Sequence, residues 1–273
     1  MGQGIAQCAA MVGIDVLLFD VRKGAAAEAV TTTQWSLDKL HAKGKLEEHP
    51  PAVLQRIKPI DALAAAAKVD VVIEVVPERL DIKQAFFAEI DALCPTAQLL
   101  GSNTSAIPIT QIAQATTRPD RVCGLHFFAP AAIMPLVEII RGQHTSPQTI
   151  AAAIELAEAM GKASVVVQRD DAGFIVNRVL IAAIFEAVRL LERGVASAAD
   201  IDRVMQLGCS WKMGPLATCD LSGLDVILDA GQAIFDASGD AAFDPPALLS
   251  DHVSAGNLGR KSGKGFFDHP SSS

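Results

Sequence analysis

The chain has 273 residues, of which 50% are hydrophobic, and a formal net charge of -8 at pH 7. This composition indicates a globular protein of one or two domains, and the acidic balance excludes a general nucleic-acid surface, which needs clustered lysine and arginine. No apolar run approaches the roughly 18 residues of a membrane span, and no basic segment precedes the apolar opening as in a secretory signal, so we expect no membrane partner.

The cysteines predict a reducing environment. There are five, an odd number, and no two of them form a C-x-x-C pair. We interpret them as reduced thiols of a cytoplasmic protein and predict no metal site.

The first part of the chain alternates short apolar runs with longer alanine-rich amphipathic stretches, a pattern typical of parallel strands joined by crossover helices. Seven strands are predicted, at 14–19, 56–60, 69–76, 97–103, 121–128, 135–140 and 163–168, with helices that include 23–45, 81–93 and 147–160. We therefore predict an α/β, Rossmann-like, doubly wound and mostly parallel sheet over residues 1–168.

The pattern changes after "QRDDAGF". The segment "GFIVNRVLIAAIFEAVRLLERG" predicts a long helix that is apolar on several sides, and further helices follow it without strands. We predict an all-α substrate and dimerisation domain over residues 169–273, since such a helix needs several neighbours, and a homodimer through this domain. The later "GRKSGKGFF" lacks a preceding strand, and we interpret it as a structural turn.

The opening "MGQGIAQ" resembles the end of a dinucleotide-binding motif. Gly2 fits the third glycine of G-x-G-x-x-G, a helix and a strand follow it, and Asp20 comes 18 residues later. A carboxylate there would take the ribose hydroxyls of an adenosine, which predicts NAD in preference to NADP. The first strand and two glycines do not precede it, so we expect the natural chain to begin about a dozen residues upstream with a central strand, whose loss would expose two strand edges.

Two other polar stretches follow predicted strands and so belong to one crevice at the carboxyl ends of the sheet. They contain Ser105, in "SNTSAIPIT", and His126, in "GLHFFAP". Glu138 lies inside the apolar strand "PLVEII", where a carboxylate needs a polar partner. We predict a pair in which Glu138 holds one imidazole nitrogen of His126 and the other nitrogen acts as a general base.

These motifs together, "SNTS", "GLHFF-x-P", "PLVEII" and "GFIVNR", resemble those of the L-3-hydroxyacyl-CoA dehydrogenases, over almost the whole chain. The resemblance implies NAD-dependent interconversion of 3-hydroxyacyl-CoA and 3-oxoacyl-CoA in fatty-acid or related metabolism. It also implies residue roles: His126 as the base with Glu138 as its partner, Ser105 and Asn177 on the substrate, Glu78, Lys83 and Ser105 with Gly2 and Asp20 at the cofactor, and Ser36 and Lys43 at coenzyme A.

The sequence departs from the family pattern at one position, and two alternative functions are open. Ala129 stands where the family has asparagine after "HFF", which puts the details of substrate and cofactor positioning in doubt. The alternatives are a dehydrogenase of a non-CoA hydroxy acid, of the carnitine or gulonate type, and a non-catalytic CoA-binding remnant.

Overall fold

The computed structural model describes residues 1–269. The chain divides into two compact units, Met1–Asp170 and Asp171–Ser273. The boundary predicted from the sequence, after residue 168, lies two residues before this division.

The first unit contains all seven of the predicted strands, and each observed strand lies inside its predicted range, with ends that differ by at most two residues. Its elements in chain order are α1 (Gly2–Met11), β1 (Val16–Leu18), α2 (Ala25–Ala42), α3 (Pro50–Leu54), β2 (Ile57–Pro59), β3 (Val71–Glu74), α4 (Leu80–Leu93), β4 (Leu99–Ser102), α5 (Ile109–Ala113), β5 (Val122–Phe127), β6 (Leu136–Ile140), α6 (Pro147–Ala159) and β7 (Ala163–Val167). The sequence marks some helix starts plainly. At α6, Ser146 caps the helix by accepting the backbone N–H of Thr149, and Pro147 follows in the first helical position.

The strands form two sheets. One has the order β3-β4-β5-β6-β7, in which only the β5–β6 pair is antiparallel, and the other consists of the parallel pair β1–β2. The fold class is thus α/β and mostly parallel, as predicted, but the sheet is in two parts. In the part of the chain that the structure describes, no strand pairs with the second edge of β1 or of β3.

One apolar cluster covers one face of the larger sheet. It joins buried side chains of α1, such as Ile5 and Ala9, to Leu125 and Phe127 of β5 and to residues of α6. A separate cluster packs the other side of α1 against α2, α3 and β2. Because α1 contributes to both clusters, it holds the two sheets in one unit.

The named elements of the second unit are all helices, and its described residues otherwise form turns, loops and two isolated β-bridges. Its elements are α7 (Val176–Glu192), α8 (Ala198–Cys209), α9 (Pro215–Ser222), α10 (Leu224–Ser238) and α11 (Ala247–Ser254), with short 3₁₀ turns between and after them. Helix α7 supplies Ile184 and Phe185 to a core shared with the other helices. A Cβ at Gly231 of α10 would lie 2.2 Å from the Phe185 ring, so glycine is what permits this close crossing.

A buried carboxylate holds the last residues that the structure describes, 266–269. Asp220 is 1% exposed and accepts the backbone N–H groups of Phe266 and Phe267 and a hydrogen bond from the His269 ring. The segment "GRKSGKGFF" is therefore a structural turn, as predicted. None of the described helices is both long and apolar enough to cross a membrane.

Candidate active site

The central feature of the first unit is a buried histidine–glutamate pair. His126 of β5 and Glu138 of β6 face each other directly in the antiparallel register, and Nδ1 of the imidazole lies 2.8 Å from Oε2 of the carboxylate. The two side chains are 5% and 1% exposed. Since an ionised carboxylate accepts only, Nδ1 carries the proton in this bond and Nε2 is the basic nitrogen of the neutral ring.

The period of two along β5 decides which way the imidazole points. Leu125 and Phe127 enter the cluster under α1 and α6, so His126 lies on the opposite sheet face. Gly124 shares that face, and a Cβ there would come within 2.8 Å of the Ile140 side chain. Without a side chain at Gly124, β5 and β6 approach closely enough for the pair to form.

The loop after β4 is fastened beside this pair. The backbone N–H of Phe127 donates to Oδ1 of Asn103 at 2.9 Å, and the N–H of Asn103 donates to the Glu74 carbonyl at 2.9 Å. Asn103 thus ties the carboxyl ends of β3, β4 and β5 together. Ser105, which is half-buried, follows two residues later in the same loop. Sequence reasoning missed Asn103, although its place in "SNTS" directly after a strand was the available signal.

Glu78 connects the loop after β3 to the Ser105 loop. One of its carboxylate oxygens accepts three hydrogen bonds, from Thr104 Oγ1 at 2.5 Å, Ser105 N at 2.9 Å and Ala106 N at 3.0 Å. Burial acts to raise the pKa of Glu78, but these donors and the Lys83 ammonium together outweigh it and hold the pKa below its ordinary value. The side chain keeps 42% of its surface exposed, so a ligand can still reach it.

Lys83, in contrast, is sealed in. Its side chain is 1% exposed, and its ammonium lies 2.8 Å from Glu74 and 3.2 Å from Glu78. Glu74 in turn accepts the hydroxyl of Ser102 at 2.7 Å. Two carboxylates and one ammonium therefore leave a net negative charge at this strand end. Glu74 was also missed from the sequence, though a carboxylate ending an apolar strand is the same signal that identified Glu138.

Helix α1 brings its N-terminus to this edge of the sheet. A Cβ at Gly2 would lie 3.8 Å from the Val75 side chain, and one at Gly4 would lie 3.1 Å from Ala131, in the loop after β5. Glycine at position 4 therefore permits close contact between the first turn and that loop. The unpaired N–H groups of a first turn, with the positive end of the helix dipole, are suited to a pyrophosphate. Asp20 lies two residues beyond β1, exposed, and accepts the backbone N–H of Arg22 at 2.8 Å.

The remaining predicted residues lie further along the chain. Ser36 is half-buried on α2, and Lys43 is the exposed residue that directly follows this helix. Asn177 belongs to the second unit, as the second residue of α7, and is half-buried. Ala129 follows β5 in the loop that leads to Ala131. Within residues 1–269 no group of three or more histidine, cysteine, aspartate or glutamate side chains is arranged to hold a metal ion.

Together, a helix N-terminus at the carboxyl edge of a parallel sheet, an acidic residue after the next strand and a carboxylate-held histidine define a dinucleotide-dependent dehydrogenase. The residues present fit NAD, since α1 offers its N-terminus to a pyrophosphate and Asp20 is exposed to receive a ribose. The chain belongs to the 3-hydroxyacyl-CoA dehydrogenase family: the family's NAD-binding domain matches residues 1–171, and its C-terminal domain matches residues 173–269.

Individual relatives are similar to this protein over almost the whole chain. A probable 3-hydroxybutyryl-CoA dehydrogenase of Bacillus subtilis is 43% identical over 270 residues, which cover 98% of this chain and 94% of that protein. A mitochondrial hydroxyacyl-coenzyme A dehydrogenase of Sus scrofa is 38% identical and is covered to 88%. The crystal structure of (S)-3-hydroxybutyryl-CoA dehydrogenase from Ralstonia eutropha superimposes with a TM-score of 0.94 at 40% identity, covering 98% of this chain and 95% of that one. The protein is accordingly an NAD-dependent oxidoreductase of the 3-hydroxyacyl-CoA dehydrogenase type.

Proposed function

We propose that this enzyme interconverts 3-hydroxyacyl-CoA and 3-oxoacyl-CoA with His126 as the general base and acid and Glu138 as its orienting partner. The observation that carries the assignment is the 2.8 Å bond between His126 Nδ1 and Glu138 in a buried strand pair. This bond fixes the ring and its tautomer, so that proton transfer falls to Nε2.

In the oxidative direction Nε2 of His126 takes the proton of the C3 hydroxyl. NAD, which the N-terminus of α1 and Asp20 would hold, would supply the nicotinamide ring that accepts the hydride from C3. Glu138 stabilises the imidazolium as it forms, because a buried opposite charge at hydrogen-bond distance favours the protonated ring. In the reductive direction the imidazolium returns its proton to the C3 oxygen.

The proposed cofactor residues are Gly2, Asp20, Glu78, Lys83 and Ser105. The exposed carboxylate of Glu78 is suited to ribose hydroxyls, whereas Lys83 acts through Glu78, since its ammonium is held between two carboxylates. Loss of the Lys83 ammonium would remove the ion pair at Oε2 of Glu78, while Oε1 keeps its hydrogen bonds from the Ser105 loop.

For the substrate we propose Ser105 and Asn177 at the hydroxyl and thioester groups, and Ser36 and Lys43 at coenzyme A. Lys43 is exposed at the end of α2, as a phosphate contact requires. Asn177 is an amide in the first turn of α7, and its donor and acceptor groups are suited to a polar substrate group.

We also propose a homodimer through the second unit. Several large apolar side chains of that unit are exposed, including Val204 at 62%, Leu207 at 74%, Leu221 at 53% and Val226 at 52%. These residues belong to α8, α9 and α10, and exposed apolar side chains of this size fit an interface with a second copy. The five free cysteines, four of them buried, support our proposal of a reducing, cytoplasmic environment.

A substrate panel tests the function. We expect NAD-dependent oxidation of 3-hydroxybutyryl-CoA, no comparable turnover of carnitine or gulonate, and enhanced nicotinamide fluorescence when NADH is added. The His126→Gln variant serves as the control for contaminating activity. Faster turnover of carnitine or gulonate would overturn the CoA assignment, and the absence of NADH binding at millimolar cofactor would identify a non-catalytic remnant.

A further inference from the structure

An unusual feature lies on α2, away from the histidine pair. Trp35 is 61% exposed, although tryptophan is a costly residue to leave in water. The ammonium of Lys39 lies 3.6 Å from the centroid of its ring, in a cation–π contact. This contact lies against one face of the indole, and most of the residue is still exposed.

Two lysines lie near this indole in the sequence, in a protein whose net charge is -8. Lys39 lies four residues further along α2, and Lys43 follows at the same interval, directly after the helix ends at Ala42. The acidic residue nearest in sequence, Asp38, accepts a hydrogen bond from Gln34 at 2.7 Å. An indole ring with one ammonium group against it and a second at the end of the same helix is suited to a purine ring that carries phosphate.

We propose that Trp35 is a stacking platform for the adenine ring of the acyl-CoA substrate, with Lys39 and Lys43 beside it for the 3′-phosphate. This inference rests on the proposed function and extends it to a residue that sets affinity for the nucleotide end of the substrate. The adenine stacks on the indole face that Lys39 does not cover. Lys39 keeps its cation–π contact and adds positive charge on the phosphate side.

Fluorescence can observe this directly, because the chain has two tryptophans and Trp35 is the sole emitter in a Trp211→Phe background. Adenosine 3′,5′-bisphosphate and CoA should quench the emission saturably, whereas pantetheine should not. The quenching should persist at saturating NAD⁺, which separates the CoA adenine from the cofactor adenine. If NAD⁺ abolishes it, or if 5′-AMP quenches as strongly as the bisphosphate, the stacked ring belongs to another nucleotide and the proposal fails.

Kinetics give the second test. Trp35→Ala should raise KM for acetoacetyl-CoA by about 5- to 30-fold with kcat nearly unchanged, because a stacked base contributes binding and no chemistry. KM for acetoacetyl-pantetheine, which lacks the nucleotide, should not change. Trp35→Phe should retain most of the affinity, and Trp211→Phe is the matched control.

The outcomes distinguish this inference from the function on which it rests. If acetoacetyl-CoA is reduced and Trp35→Ala leaves its KM unchanged, the stacking proposal is wrong and the dehydrogenase assignment stands. If Trp35 emission responds to the bisphosphate but no 3-oxoacyl-CoA is turned over, adenine stacking stands and the proposed reaction is wrong.

Discussion

Replacement of His126 by glutamine isolates the proton-transfer role of the imidazole. The pair it disrupts is buried, with side chains 5% and 1% exposed and a 2.8 Å bond between them. A glutamine amide can donate to Glu138 in place of Nδ1, so the carboxylate keeps a partner. Alanine would instead remove this bond from a buried carboxylate, at a cost of about 3–5 kcal/mol in folding stability, so that a loss of chemistry could not be told from a loss of fold.

The expected loss of rate in His126→Gln is the contribution of a general base to catalysis. A positioned general base contributes about 10²- to 10⁴-fold to the rate, which corresponds to about 3–5 kcal/mol in the activation barrier. We expect kcat for acetoacetyl-CoA reduction to fall by that factor in His126→Gln. The Kd for NADH and the unfolding midpoint should stay close to the wild-type values, because the proposed cofactor residues and the sheet are untouched.

The assay follows NADH absorbance at saturating acetoacetyl-CoA, with NADH binding measured separately by fluorescence. Glu138→Gln is the matched comparison. It keeps the imidazole and a neutral hydrogen bond but loses the charge that stabilises the imidazolium, so its rate should fall only about 10- to 30-fold, or roughly 1–2 kcal/mol. Full activity in His126→Gln would remove this histidine from the mechanism. A larger loss in Glu138→Gln than in His126→Gln would show that the carboxylate itself transfers the proton.

Four further predictions concern the cofactor, the buried charges and the assembly. Asp20→Ala should narrow the preference for NAD over NADP in kcat/KM, because the aspartate repels a 2′-phosphate; a wild-type enzyme that favours NADP would contradict its placement. Lys83→Met should lower the free energy of unfolding in urea by about 3–5 kcal/mol, since Glu74 is left buried without its counter-ion, and a change under about 1 kcal/mol would refute the buried pair. The lowered pKa of Glu78 means that its ionised form stabilises the fold above the ordinary value of 4.5 and that this contribution is lost as pH falls through the folded-state pKa. Glu78→Gln should therefore have a lower free energy of unfolding than wild type at pH 7, and the difference should shrink as the pH falls below 4.5. A difference that stays constant in urea titrations at several pH values would contradict the lowered pKa of Glu78. Leu207→Asp should shift the protein from dimer to monomer in light scattering, and an unchanged mass would remove α8 from the interface.

The seven strands were predictable because each is a short run of apolar residues. A strand of a parallel sheet that is covered on both faces has such a run whichever strands pair with it. The His126–Glu138 pair was predictable for a related reason. A carboxylate inside "PLVEII" has a high cost of burial without a polar partner, and the imidazole of His126 was the simplest candidate. The sequence also predicted a domain division after residue 168, where the predicted strands end.

Other features of the site depend on which segments of the chain become neighbours, and only the tertiary structure shows these. From the sequence, Lys83 would be expected to be an exposed lysine near the start of a helix. It is buried because α4, which carries Lys83, packs beside the end of β3 and the loop after it, which carry Glu74 and Glu78. The fastening of Ser105 by Glu78 joins residues 27 apart in the chain. Likewise, the periodicity of α2 places Trp35 on a helix but does not say which side of that helix is covered. The division of the strands into two sheets also lies beyond the pattern of any one strand. A run of apolar residues specifies that it will be buried, whereas its hydrogen-bond partners depend on which strands become its neighbours.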